Sequence, residues 1–336
     1  AARGRLLADG RRQAKMVGSM VPYDALLVVS FGGPESPDEV MPFLENVVRG
    51  RNVPRERLLE VAAHYQHCGG RSPINEQNRA LAAAVRQALA RRGTELPVYL
   101  GNRNWRPLLG DVVREMQSDG VRRALAFVTS AYSSWSGCRQ YLENIEQARA
   151  QAGAGAPSIE KLRVFFNHPR FITAVVERVQ EALARISPQR RAAAPLVFTA
   201  HSIPLSMAEG CRYEEQLREA CRLASAAVGR EQYLLAWQSR SGPPTQPWLE
   251  PDILDVLREL ADAGATDVVV VPIGFLSDHI EVLYDLDHEA AQCAAALGLF
   301  MARAATVGTH PEFVEMICDL VDERLRGVPP QAIGKL

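Results

Sequence analysis

Glu281, Asp285 and Glu289 stand four residues apart in the stretch PIGFLSDHIEVLYDLDHE, Pro272 to Glu289. The stretch reads as a buried strand that runs into a helix. On an α-helix, side chains at i, i+4 and i+8 share one face, about 6 Å from one another. Three carboxylates in a row repel, and no Lys or Arg lies between Asp278 and Glu289 to relieve them. His279 and His288 are the only basic-capable groups there. Hard oxygen donors with imidazoles nearby suit a labile divalent metal or a proton relay. An acidic helix start favoured by the macrodipole would account for Asp278 and Glu281. It leaves Glu289, more than two turns on, without a reason. For Asp285 and Glu289 the plain alternative is a solvated helix face.

A second segment, LVFTAHSIP from Leu196 to Pro204, favours chemistry. Leu196-Val197-Phe198 is a short apolar run, as in a buried parallel strand. His201 follows at its carboxyl end, before Ser202 and the chain-stopping Pro204. Ligands of open α/β sheets sit beyond the carboxyl ends of strands. A histidine placed there is a candidate base, with an ordinary pKa near 6.5 that lets a proton move either way.

The elements that must position these groups alternate. Strands are predicted at Ala25 to Ser30, Val98 to Leu100, Ala124 to Thr129, Leu162 to Phe165, Leu196 to Thr199, Tyr233 to Ala236 and Asp267 to Pro272. Helical patterns lie between them, at Asn75 to Arg92, Leu108 to Asp119, Cys138 to Gln151, Arg170 to Ile186, Glu214 to Ala227 and Asp252 to Ala263. Ser36 and Pro37 suit the cap and first turn of a further helix. This alternation predicts parallel sheets with helices on both faces. The pattern runs twice, with a break near Ala154-Gly-Ala-Pro. The expected fold class is therefore α/β: two Rossmann-like, doubly wound halves with a cleft between them. The halves are placed at residues 21–160 and 161–310. Residues 311–336 are a terminal helix and tail. Residues 1–20, basic and weakly amphipathic, read as a leader or extension ahead of Met20.

With 336 residues, 47% hydrophobic and 23% charged, the chain is expected to be globular and long enough for two domains. A net charge of -1 argues against general nucleic-acid binding. No apolar run approaches the length of a membrane-spanning helix. The six cysteines show no paired CxxC spacing, which fits free thiols in a reducing cytoplasm. Phe31-Gly-Gly-Pro resembles a phosphate-binding turn only in part: GGPES is not GxGxxG, and Pro34 removes an N–H.

The chain resembles the ferrochelatases, which insert ferrous iron into a porphyrin. The likeness runs from about Tyr23 to about Leu325, and it implies two Rossmann-like halves with the terminal helix and tail, residues 311–336, packing back on the first. It is carried by SFGGPESPDEVMPFLENVVRGR (Ser30 to Arg51), GGRSPIN (Gly69 to Asn75) and GNRNW (Gly101 to Trp105). It continues through FTAHSIP, AWQSRSGPPTQPWLEPD (Ala236 to Asp252) and the acidic stretch above. The wording is most similar to the actinobacterial branch, which acts on coproporphyrin III. The resemblance implies that His201 is the base and one metal contact, that Glu281 is its acidic partner, and that Asp285 and Glu289 extend a metal or proton path.

Around the porphyrin, the resemblance implies substrate contacts from Phe31, Arg49, Arg51, Ser72 and Tyr141. Phe31 stands where many relatives have a tyrosine; its side chain has no oxygen to donate to iron, and it is expected to pack on the ring. Arg49 to Leu59, RGRNVPRERLL, is a polar lip. Arginines bind carboxylates bidentately, so the lip suits coproporphyrin, with four carboxylates, over protoporphyrin, with two. Several relatives hold a [2Fe–2S] cluster. Cys138 matches its first ligand, but GVPPQAIGKL after Arg326 carries no cysteine, so a cluster is not supported. No resident cofactor is expected; ferrous iron is a substrate. The expected enzyme is a cytoplasmic monomer in haem biosynthesis that makes transient contact with a coprohaem decarboxylase. Its alternatives are a protoporphyrin IX ferrochelatase and a non-catalytic porphyrin carrier.

Overall fold

The computed structural model describes residues 23–134, 139–242 and 245–334. The expectations for residues 1–20 and for Cys138 lie outside the described residues. Two four-stranded parallel sheets organise the chain. The first holds β1 (Ala25–Ser30), β2 (Val98–Asn102), β3 (Arg123–Val128) and β4 (Ser158–Lys161), in the order β2-β1-β3-β4. The second holds β5 (Leu196–His201), β6 (Leu234–Gln238), β7 (Asp267–Val271) and β8 (Phe300–Arg303), in the order β6-β5-β7-β8. The orders are the same, so each half reverses direction of winding at the equivalent place: between β1 and β3, and between β5 and β7.

The middles of the central strands are continuous apolar runs because both faces are covered. Ala25, Leu27 and Val29 pack toward helices Leu109–Ser118 and Gln140–Ala152. Leu26 and Val28 point the other way, into a core shared with Leu196, Phe198, Val269 and Val271 of the second sheet. One continuous core thus joins the halves. Hydrogen bonds reinforce the join near the strand ends. Tyr132 Oη donates to the Ile273 carbonyl at 2.9 Å, and the Asp278 N–H donates to Gln77 Oε1 at 2.9 Å. Helix Pro311–Leu325 packs on helices Ile74–Arg91 and Pro169–Ala184.

Three expectations need correction. The fourth strand is Ser158–Lys161, not Leu162 to Phe165. Leu162 and Phe165 are buried in the shared core outside any strand. Strand β8 had no counterpart in the reading. Both are edge strands, half-covered and short, so neither shows the continuous apolar run of a central strand. Ser36 stands at the cap position, but its side chain makes no capping bond there. Instead, Glu39 Oε2 accepts the Glu35 N–H at 2.8 Å and the Trp105 indole N–H at 2.9 Å.

Candidate active site

His201 closes β5, where the backbone pairs it with Gln238 of β6. Glu281 is the second residue of the short helix Ile280–Leu283 that follows β7. Strands β5 and β7 are neighbours at the switch point of the second sheet, where the topology opens a crevice. His201 Nε2 lies 3.4 Å from Glu281 Oε1, with the side chains 32% and 36% exposed. His201 Nδ1 faces the Ser202 carbonyl. A carbonyl can only accept, so Nδ1 carries the proton. The lone pair of neutral His201 is therefore on Nε2, the atom facing Glu281.

Half-burial disfavours charge on His201. The Glu281 carboxylate, its hydrogen bond, the Ser202 carbonyl and Asp285 outweigh this and raise the imidazole to about 9. Burial likewise works against ionised Glu281, but His201 and then His279 prevail and hold it at about 2. At neutral pH the pair is an imidazolium and a carboxylate. Asp285 behaves differently. Burial, with Glu281 and Glu289 nearby, pushes it up to about 7, although a hydrogen bond from Ser239 opposes the rise. Burial and Asp252 also raise Glu289. Neighbouring carboxylates with separated proton affinities can pass a proton along.

The acidic helix departs from the expected α geometry. It is α-helical at Ile280–Leu283, becomes a π-helix at Asp285–Ala290, and returns to α at Ala291–Ala296. The Glu289 N–H reaches back five residues to the Tyr284 carbonyl at 2.9 Å. On a pure α-helix, four residues overshoot a turn by about 40°, so a row at this spacing would spiral away. The wider turn holds such rows closer to straight. Val282, Leu286 and Ala290 form one row, buried against the second sheet. Ile280 and Tyr284 face the first half: Ile280 joins Phe43 and Tyr65, and Tyr284 stacks on His64 with centroids 3.8 Å apart. Glu281, Asp285 and Glu289 form the row between.

The remaining acids have a different role. Arg303, on β8, pairs with Asp278 at 3.2 Å and Asp287 at 2.6 Å. Among the described residues no Arg or Lys pairs with Glu281, Asp285 or Glu289. The structure therefore separates acids that brace the fold from acids that stay available. Among the described residues no three His, Cys, Asp or Glu side chains converge to hold a metal ion. The carboxylates form a line.

The other sequence candidates fall in varied surroundings. Phe31 follows β1, is 39% exposed and packs edge-on against Phe43. Arg49 and Arg51 flank Gly50, whose φ of +79° turns the chain out of helix Val40–Val47. Both arginines are exposed, with no ion pair among the described residues. Ser72 is buried; its Oγ accepts the Ile74 N–H at 3.4 Å. Tyr141 is buried beneath Arg103, whose guanidinium carbon lies 4.5 Å from the ring centre. His279, expected from sequence only as a nearby imidazole, caps the acidic helix. Its Nδ1 accepts the Glu281 N–H at 3.2 Å and lies 4.0 Å from Glu281 Oε2. Burial keeps its pKa low. Gln238 and Ser239 were missed as site residues, since neither type announces a role from one sequence.

Two parallel sheets of this order, with the site at the end of the second, define a chelatase fold. The solved structure of SirB from Bacillus subtilis with Fe3+ superposes with a TM-score of 0.57 at 13% identity, covering 90% of this chain and 95% of that one. DR2241 from Deinococcus radiodurans gives 0.53 at 14% identity, covering 90% and 55%. A sequence profile of the ferrochelatase family matches residues 23–325. A ferrochelatase of Rhodopirellula baltica is 58% identical over 324 residues, covering 95% of this chain and 92% of that protein. Coproporphyrin III ferrochelatases of Mycolicibacterium smegmatis and Nocardia farcinica are each 53% identical, covering 93% of this chain and 92% and 91% of theirs. The chain belongs to the ferrochelatase family, metal-chelating lyases that insert metal into porphyrin. Among the described residues no helix is long and apolar enough to cross a membrane.

Proposed function

We propose that this protein inserts ferrous iron into coproporphyrin III, with His201 as base and Glu281, Asp285 and Glu289 as the acidic relay. The observation that carries the reading is the 3.4 Å approach of His201 Nε2 to Glu281 at the head of the carboxylate row. Insertion requires two pyrrole N–H protons to leave as iron enters. At rest the His201 proton is held by Glu281. Iron arriving at Glu281 would compete for that carboxylate and lower the proton affinity of His201; the Nε2 proton would then leave along the carboxylate row to solvent, and the freed Nε2 would take the two pyrrole protons one after the other, passing each on the same way. Asp285, near 7, takes protons at little cost and returns them toward Glu289 and solvent. Oxygen and imidazole donors hold ferrous iron loosely enough for transfer.

Two things support coproporphyrin as the porphyrin. Relatives at 53% identity carry that substrate in their names. The exposed Arg49 and Arg51 offer unpaired forks for extra carboxylates. The test is anaerobic iron insertion with coproporphyrin III and protoporphyrin IX side by side. A clear preference for coproporphyrin, weakened in an Arg49→Ala/Arg51→Ala variant, is expected. Preference for protoporphyrin overturns the substrate assignment. Tight binding of both with no insertion makes the protein a carrier.

A further inference from the structure

We propose that the dipeptide Gln238–Ser239 is the positioning element of this site, and that Ser239 holds Asp285 in its working place. The inference rests on the metal-insertion reading above. Gln238 ends β6 and is paired by its backbone with His201. Its carbonyl accepts the Ser202 N–H at 2.8 Å. Its side-chain amide donates to the main-chain carbonyl of Glu281 at 2.7 Å. The next residue, Ser239, donates its hydroxyl to the Asp285 carboxylate. Two consecutive residues therefore touch the strand end that bears the base, the helix start that bears the first acid, and the side chain of the second acid.

The backbone supports a dedicated role. Ser239 has φ +59°, the left-handed region, and is the single non-glycine residue there among the described residues. Glycine occupies that region without strain, so a serine keeps strain that glycine would relieve. What serine adds is the hydroxyl, and the hydroxyl is on Asp285. Strained backbone of this kind gathers at functional sites. Gln238 is 1% exposed, yet its Oε1 has no partner among the described residues. Half of a buried amide goes unsatisfied while the other half grips the helix of Glu281. An apolar side chain would fill that space without an orphaned acceptor, so packing alone does not explain a glutamine here.

The experiment measures iron insertion and porphyrin KM in wild type, Ser239→Ala, Ser239→Gly, Asp285→Ala and the Ser239→Ala/Asp285→Ala double variant. One hydrogen bond to a charged group corresponds to roughly a ten-fold rate change. Ser239→Ala and Ser239→Gly are expected to lose about that factor in kcat, with porphyrin KM within about two-fold of wild type. In the Asp285→Ala background, Ser239→Ala should change kcat by less than about two-fold, because residues acting as one unit are not additive. Glycine suits the local backbone, so at least one variant folds. Wild-type kcat in Ser239→Ala overturns the proposal. So does normal kcat in the glycine variant alone, which would make backbone strain the cause, and so does a full ten-fold loss without Asp285. If the wild-type protein inserts iron into no porphyrin, the functional reading itself falls, an outcome seen before any variant is compared.

Discussion

His201 and Glu281 are each half-exposed, yet each shifts the other's proton affinity strongly. An isolated imidazole near 6.5 would be a ready base at neutral pH. In the fold it is raised to about 9, so His201 keeps its proton at neutral pH, and in the proposed mechanism the arriving metal releases it. In Glu281→Gln the carboxylate that stabilises the imidazolium is gone, and the His201 pKa should fall from about 9 toward 6.5. Iron insertion should fall by roughly 10²- to 10⁴-fold, the typical worth of an acid–base group, with porphyrin binding kept. NMR titration of the His201 ring checks the first outcome; an unchanged pKa would refute the pairing. The stability contribution has a defined window. His201, raised on folding, contributes fully below about 6.5 and loses its share as pH climbs through about 9. Glu281, depressed on folding, contributes fully above about 4.5 and loses its share as pH drops through about 2. The difference in denaturant midpoint between wild type and Glu281→Gln should therefore be widest between about pH 4.5 and 6.5.

The site is built by two short connections, one after β5 and one after β7, and their fit depends on a glycine. A Cβ on Gly274 would lie 2.5 Å from the Ala200 Cβ and 2.6 Å from its Cα. Gly274 N–H also donates to the Thr199 carbonyl at 3.0 Å. A methyl group would wedge the loop off the strand, one residue from His201. Gly274→Ala should destabilise by about 1–3 kcal/mol, the usual range for overpacking. It should also lower kcat at temperatures where the variant is folded, because the His201–Glu281 distance spans this contact. Urea denaturation followed by steady-state assay on the folded fraction measures both. A stable variant with full activity would show that the loop yields without moving His201. The π-helix belongs to the same scale: it keeps three rows in register, one anchored in the core, one against the first half and one in the crevice.

At the level of the whole molecule, helix Pro311–Leu325 clamps the halves through ions as well as apolar contacts. Arg92, 22% exposed, pairs with Asp319 at 2.8 Å and Asp322 at 3.0 Å, and also with Glu315. Arg170 reaches Asp319 at 2.9 Å, and Arg163 reaches Glu323 at 2.7 Å. Arg92→Ala would leave several partly buried acids short of a cation. About 3 kcal/mol of stability should be lost, in line with breaking a buried pair. The network lies away from the crevice, so kcat of the folded protein should stay at the wild-type level. A thermal midpoint equal to wild type would show that Arg170 and solvent compensate.

Much of this could be read along the chain. Central strands carry continuous apolar runs because both faces are covered, and helices betray themselves by period, so the two-halved α/β plan was legible. His201 at a strand end and the acids at a spacing of four were visible as types and intervals. Edge strands β4 and β8 were not, since half-covered strands need no apolar run. Nor was the partition of the acids. Arg303, fourteen residues beyond Glu289, takes Asp278 and Asp287 and leaves Glu281, Asp285 and Glu289 without an arginine or lysine partner among the described residues. The π-helix, the pairing of His201 with Glu281 and the reach of Ser239 to Asp285 likewise came from folding. Each depends on contacts between residues distant in sequence, or on packing two adjacent rows against different partners, and local pattern carries no record of either.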